Sequence, residues 1–285
     1  MCKLPDKIQA KNKTQLKSLI DYAFKHNIYD LNFIDTSKIT NMSNLFMNCE
    51  YDIDVSNWDV SNVTTTFCMF VGCKKFNSDL SNWDVSNVKN MNNMFYCCKN
   101  FDCDLSNWNV SNVTDMHALF YECNKFTGKG LEHWDMSNVT KADHMFYKCK
   151  TFNCDLSNWD VSNVTTTFRM FVGCKKFNSD LSNWNMANVK TTKYMFSGCK
   201  SFEGKGLENW NVSNVSDMTS MFAFCNKFDC DLSNWDVSNV TGMYFMFGHC
   251  KQFNCDLSHW NVSKVKDMKD MFTCCNILTI PNWYK

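Results

Sequence analysis

Residues 80–104, LSNWDVSNVKNMNNMFYCCKNFDCD, are one spelling of a text that the chain repeats about ten times. The tryptophans fall at one place in it: Trp58, Trp83, Trp108, Trp134, Trp159, Trp184, Trp210, Trp235, Trp260 and Trp283, spaced by 25, 25, 26, 25, 25, 26, 25, 25 and 23 residues. A fixed period of this size belongs to stacked supersecondary units, not to one globular core. The expected fold class is therefore a repeat solenoid.

Within the unit, Leu80, Trp83 and Val85 follow the L-x-x-L-x-L spacing of a leucine-rich-repeat strand, with Trp in the central apolar slot. Trp83 and Val85 share one strand face, which turns Asp84 toward solvent. Ser86 and Asn87 suit a corner, because their side chains bond nearby backbone groups. Val88, Met91, Met94 and Phe95 then recur three and four apart, the spacing of a short helical segment. The reading is leucine-rich-repeat-like, with one short parallel β-strand plus a short helical segment per coil. Stacking at about 4.8 Å makes ten coils a rod on the order of 50 Å long.

The expected core is the Trp column from Trp58 to Trp260, the Phe positions Phe95, Phe146, Phe196 and Phe247, and the Cys positions Cys98, Cys149, Cys199 and Cys250. With 18 cysteines in the chain, the ten in the repeat slot read as buried, reduced small hydrophobes, since a stacked column pairs only alternately. Four more (Cys103, Cys154, Cys230, Cys255) exchange with Ser78 and Ser179, which reads as a tolerant turn slot. Two single-residue insertions fall in matching text, GKGLE at 128–132 and 204–208, and read as tolerated loop residues.

Only two prolines and nine glycines occur, and they do not divide the chain. Residues 1–30 are expected to form an N-terminal capping helix, with Leu16, Leu19, Ile20, Ala23 and Phe24 on one face and Thr14 as N-cap. Residues 31–285 form the solenoid. Its first coil is degenerate, with Ile34 in the Trp slot and Cys49 in the Cys slot. At the far end Pro281 cannot extend a sheet.

A formal net charge of zero favours neither nucleic acid nor membrane, and no apolar run is long enough for a membrane span. No signal peptide or lipidation motif is legible, so a cytosolic or virion-associated life is expected, with the cell surface as the alternative if a leader or anchor was removed. The six histidines share no slot, no zinc-spaced cysteine set occurs and no catalytic fingerprint is present. Repeat-periodic carboxylates lack the unique environment that a catalytic pair needs. The expectation is a chain that is not an enzyme, with no cofactor, no metal and no catalytic residue. Sequons such as 62–64 and 112–114 arise from the corner text itself.

The text WDVSNVT–MF–C–F–DLSNWDVSNV, with the lead-in at Thr14 to Ile20 and the coil at Ile34 to Thr40, resembles the BspA-type leucine-rich-repeat proteins. These are bacterial surface proteins with repeats of about this length, whose repeats also look widespread in giant viruses and some protists. The resemblance covers roughly residues 14–283 and implies adhesion or host-protein binding, with no catalytic residues to carry over.

The functional expectation is a non-catalytic scaffold presenting a polar, acidic strand face to a partner protein. The residues expected to make that contact are Asp59, Asp84, Asn109, Asp135, Asp160, Asn185, Asn211, Asp236 and Asn261. The alternative is a structural component of a surface layer or virion that assembles with copies of itself.

Overall fold

The computed structural model of the chain describes residues 7–285; residues 1–6, part of the segment assigned to the cap, lie outside them. Strand β1 (Ile8–Gln9) pairs in parallel with β2 (Ile34–Asp35), and helix α1 (Lys13–Lys25) lies between them in sequence. Asn12, not Thr14, caps the helix: its side chain accepts from the Gln15 N–H. Leu16, Ile20 and Ala23 are buried, and Leu19 and Phe24 pack half-buried on the same core.

Beyond β2 the chain is a solenoid, but its coils hold neither the strand nor the helical segment expected. Each is a closed circuit of β-turns. In residues 80–101, N–H to C=O bonds three residues back close turns at Trp83→Leu80, Val88→Val85, Met94→Met91, Cys98→Phe95 and Phe101→Cys98. The supposed strand bends because Asp79 and Asp84 each stand just before a turn and accept the N–H two residues on, from Ser81 and Ser86. The supposed helical segment is interrupted at Asn93 and Cys97, third residues of their turns, which take left-handed backbone with φ of 56° and 60°.

Those left-handed residues create the inter-coil ladder. The N–H groups of Met91, Asn93, Phe95 and Cys97 donate to the carbonyls of Asp115, His117, Leu119 and Tyr121 in the next coil at 2.7–3.0 Å. Parallel bridges repeat at Thr65–Asn90, Asn90–Asp115, Asp115–Lys141 and on to Gly242–Asp267. The sheet-like edge therefore lies where the sequence suggested helix.

The opposite side of each coil has no backbone ladder of that length, and side chains bridge it instead. Every Trp indole N–H donates to a turn carbonyl one coil back, as Trp83 to Val55 O (3.1 Å), Trp108 to Leu80 O (2.9 Å) and Trp159 to Leu131 O (2.7 Å). The repeat cysteines from Cys73 to Cys250 do the same from the Phe side: Cys98 Sγ to Phe70 O (3.0 Å) and Cys149 Sγ to Phe120 O (2.9 Å). The corner asparagines form a third series, as Asn87 to Ser61 O (2.7 Å) and Asn163 to Ser137 O. In each Trp and Cys case the accepting carbonyl already closes its own turn, so one donor meets each lone pair.

Leu80, Trp83, Val88, Met91, Met94, Phe95, Cys98 and Phe101 are all essentially buried. The aromatic core has three columns: the Trp stack, the Phe95 series (Phe95–Phe120 centroids 5.7 Å apart) and the Phe101 series packed on it (Phe95–Phe101, 4.0 Å). The Ser/Cys exchange in the turn slot has a specific cause. Val55 and Leu156 N–H donate to Ser78 and Ser179 Oγ, and Leu80 and Leu232 N–H donate to Cys103 and Cys255 Sγ. In these four coils the slot supplies a small buried acceptor, whereas Cys154 and Cys230, beside the insertions, donate to Glu132 and Glu208 instead. The insertions are equally constrained. Gly130 and Gly206 have φ of 92° and 91°, and a Cβ there would lie 2.1 and 2.2 Å from the Ser106 and Ser182 backbone nitrogens. One-turn 3₁₀ helices follow at Leu131–His133 and Leu207–Asn209. At the C-terminal end Trp283 is half-buried, and its indole donates to Leu257 O.

Two outcomes follow from this architecture. Trp159→Ala should cost roughly 3–5 kcal/mol as a core truncation, and Trp159→Phe about 1 kcal/mol or more through loss of the indole bond, both read from urea unfolding. A Phe variant as stable as the parent would show that the bond contributes nothing. Burial pushes the Cys73 thiol up to about 12 and Cys103 up to about 11. Among the described residues exposed Cys274 should therefore be alkylated first in the native protein, and the column from Cys73 to Cys250 only after denaturation. Rapid native labelling of Cys149 or Cys199 would overturn the packing.

Candidate functional site

Two faces of the solenoid reach solvent with repeated side chains. The first carries the nine expected contact residues. All of them are exposed, and each is also committed to the fold. Asp59, Asp84, Asp135, Asp160 and Asp236 accept through Oδ1 from the N–H two residues on, and Asn109, Asn185, Asn211 and Asn261 do so identically. This explains why Asp and Asn interchange there: the turn needs the Oδ1 acceptor, and Asn supplies it without charge. Hydrogen bonds from Ser86, Ser162 and Ser238 hold the Asp84, Asp160 and Asp236 carboxyls below their ordinary value. Lys129 and Lys205, 2.7 Å away, together with Ser106 and Ser182 hold Asp104 and Asp180 at about 2.

The second is the ladder face. Its core-facing positions barely change from coil to coil, whereas its outward ones differ almost every time. The middle of the first ladder turn holds Phe67–Cys68, then Asn92–Asn93, His117–Ala118, Asp143–His144, Phe168–Arg169, Lys193–Tyr194, Thr219–Ser220, Tyr244–Phe245 and Lys269–Asp270, of which Cys68, Ala118, Thr219 and Ser220 are buried and the rest reach solvent at least in part. Phe67, Phe224 and Tyr244 are 36%, 44% and 38% exposed. Tyr96, Tyr121 and Tyr147 stack along the axis at 4.3 and 4.4 Å. The Arg169 guanidinium lies 4.9 Å from the Phe168 ring centre and 5.0 Å from that of Tyr194.

At the middle of this face His117, Asp143 and His144 converge from two adjacent coils. His117 Nδ1 contacts Asp143 Oδ2 directly, and His144 Nδ1 lies 3.3 Å from the same oxygen. The hydrogen bond to Asp143 raises the His117 pKa, with burial opposing. Burial works against Asp143 ionisation, but hydrogen bonds from both imidazoles prevail and hold its carboxyl well below the usual range. The histidines share no slot, so their recurrence does not mark this group. The available signal was the offset: His117 and Asp143 are 26 residues apart, as are Trp108 and Trp134 across the first insertion.

Turn-built coils, a continuous aromatic core and one variable face define a repeat solenoid. The chain belongs to the family described as "Mycoplasma protein of unknown function, DUF285", which matches residues 14–130, 114–206 and 202–283. No curated protein matches it. Among solved structures it is similar to that of a TLR13–ssRNA13 complex, at 11% identity and a TM-score of 0.23, over 87% of this chain and 45% of that one. The chain thus spans about half the length of that neighbour, and so loose a likeness bears on neither site nor partner. Among the described residues no helix is long and apolar enough to cross a membrane.

The lowered Asp pKa values fix the sign of an acid response. A carboxyl whose folded pKa lies below its ordinary 3.8 adds stability that is fully present above that value and lost as pH falls through the folded one. Thermal midpoints should therefore drop between about pH 4 and pH 2. Asp84→Asn, Asp160→Asn and Asp236→Asn together, which keep the acceptor, should make the drop shallower. A drop of unchanged steepness in scanning fluorimetry would remove these carboxylates from the account.

Proposed function

We propose that this chain is a non-catalytic protein-binding scaffold whose contact surface is the ladder face. One observation carries the reading: the coils are nearly uniform in their turn-forming and core positions, and the variation is concentrated on the outward ladder positions. Uniform positions serve stacking and present every coil alike. Only a surface that differs along its length distinguishes one partner from another. The ladder face also holds exposed aromatics and aromatic-backed cations, side chains that supply large contact area at low entropic cost. The BspA-type resemblance supports adhesion or host-protein binding as the setting.

The acidic stripe from Asp59 to Asn261 is the competing contact surface within the same reading, favoured by its exposure. A comparison of two variants separates the faces. One carries Tyr121→Ser, Tyr147→Ser and Arg169→Ser, and the other carries Asp84→Lys, Asp135→Lys and Asp160→Lys. In cross-linked capture with the intact chain, a protein retained by the parent should be lost by the first variant and kept by the second. The reverse pattern would assign binding to the acidic stripe. Capture of nothing, with sedimentation rising with concentration, would replace the proposal by self-assembly.

A further inference from the structure

We propose that His117, Asp143 and His144 form a site for a divalent transition-metal ion of the zinc class, with one coordination position open to solvent on the ladder face. The three side chains offer two imidazole nitrogens and a carboxylate oxygen, all within 4.8 Å of one another. A cation about 2.0–2.2 Å from each donor needs such convergence, and two imidazoles with one carboxylate form the three-ligand set of open zinc sites. Oxygen-only preference, the mark of magnesium and calcium, is excluded by the donor types.

The donors are placed by the ladder. His117 and Asp143 occupy the same slot of neighbouring coils, so the stacking that aligns the Tyr column also brings these two together. His144 takes the adjoining left-handed position, with φ of 59°, which sets its ring beside the Asp143 carboxylate. Asp115 Oδ1 accepts the His117 N–H and fixes the turn beneath it. The Phe168 ring meets the His144 ring edge-on, with centroids 5.0 Å apart. The side chains of His117, Asp143 and His144 are 33%, 18% and 17% exposed, sheltered enough to restrict the rotamers and open enough for entry. Among the described residues this is the one group of three or more His, Cys, Asp or Glu side chains so placed.

Without metal, two imidazoles crowd a single carboxylate oxygen. A cation would give each nitrogen lone pair a partner and relieve that crowding. The ligands also need different coils, so a bound ion would clamp the coil at residue 117 to that at residue 143. The open position faces the surface on which a partner's imidazole, thiolate or carboxylate would land. The site itself stands whether or not the scaffold reading holds.

The test is titration of the chelator-stripped full chain with Zn²⁺, and with Co²⁺ as an optical probe, after blocking reactive thiols by alkylation under native conditions. One equivalent should bind, with a Co²⁺ spectrum of nitrogen and oxygen ligation and no thiolate charge-transfer band. His117→Asn and His144→Arg install residues that neighbouring coils carry in those slots, as Asn92 and Arg169, so the turns should survive. Each variant should weaken binding about tenfold or more, the scale already seen for lesser disturbances of metal sites, while keeping the parent's metal-free melting temperature. Zn²⁺ should raise the melting temperature of the parent more than that of either variant at the same concentration. No saturable binding, binding equal in parent and variants, or a thiolate spectrum would each overturn the proposal.

Discussion

A coil made of turns leaves more of its backbone unpaired than a helix or strand does, and stacking has to satisfy the remainder. A turn closed by one N–H uses one lone pair of its carbonyl; the other faces the next coil and is buried. The indole N–H of Trp and the thiol of Cys meet those lone pairs on successive sides of the circuit, and the amide of Asn meets a corner carbonyl that closes no turn of its own. Residue identity in these slots is thus set by donor chemistry as well as by volume. Leu would fill the Trp slot and Ala the Cys slot, yet neither donates. Because the donor and its carbonyl belong to different coils, no coil is complete alone. Stability must therefore accrue between neighbours, as expected of a quasi-one-dimensional array.

The same accounting explains what the sequence discloses. Period and core positions were legible, because the Trp, Phe and Cys slots recur in register and a 25-residue repeat cannot bury its apolar residues alone. Ile34 behaves as read, closing a turn on Leu31 as each Trp from Trp58 to Trp260 does on its Leu or Val. The local conformation was not legible. Alternation of Trp83 with Val85 mimics a strand, and three-and-four spacing from Val88 to Phe95 mimics a helix. Both patterns arise equally from turns placed end to end, since any circuit that faces one core must repeat its apolar residues every two to four positions. The deciding signal was the Asx residue ahead of three of the turns, at Asp79, Asp84 and Asn90, which the apolar pattern does not register.

The candidate site divides in the same way. Asp84 and its equivalents stand out in the text because they recur, and recurrence is the mark of a position the turn requires. Their exposure leaves a polar stripe available to a partner, but its composition is governed by the Oδ1 acceptor. His117, Asp143 and His144 do not recur, and no single coil contains more than two of them. They become a group only when adjacent coils are laid in register across the inserted residue at 128–132.

That insertion shows how a repeat fold makes room for difference. Gly130 bears a backbone conformation and an approach to Ser106 that a side chain would forbid, so the extra residue is absorbed in one loop and the stack resumes with Trp134 indole N–H on Leu105 O at 3.3 Å. Register is restored before the ladder face is reached, and Asp115 still bridges Lys141. A framework that corrects its own register within a turn lets the outward positions of each coil change independently. The stacking bonds that run through backbone carbonyls take no account of which side chain the ladder turn presents. The ladder can therefore carry Asn92, His117, Asp143 and Phe168 in successive coils at no cost to the hydrogen bonds beneath them.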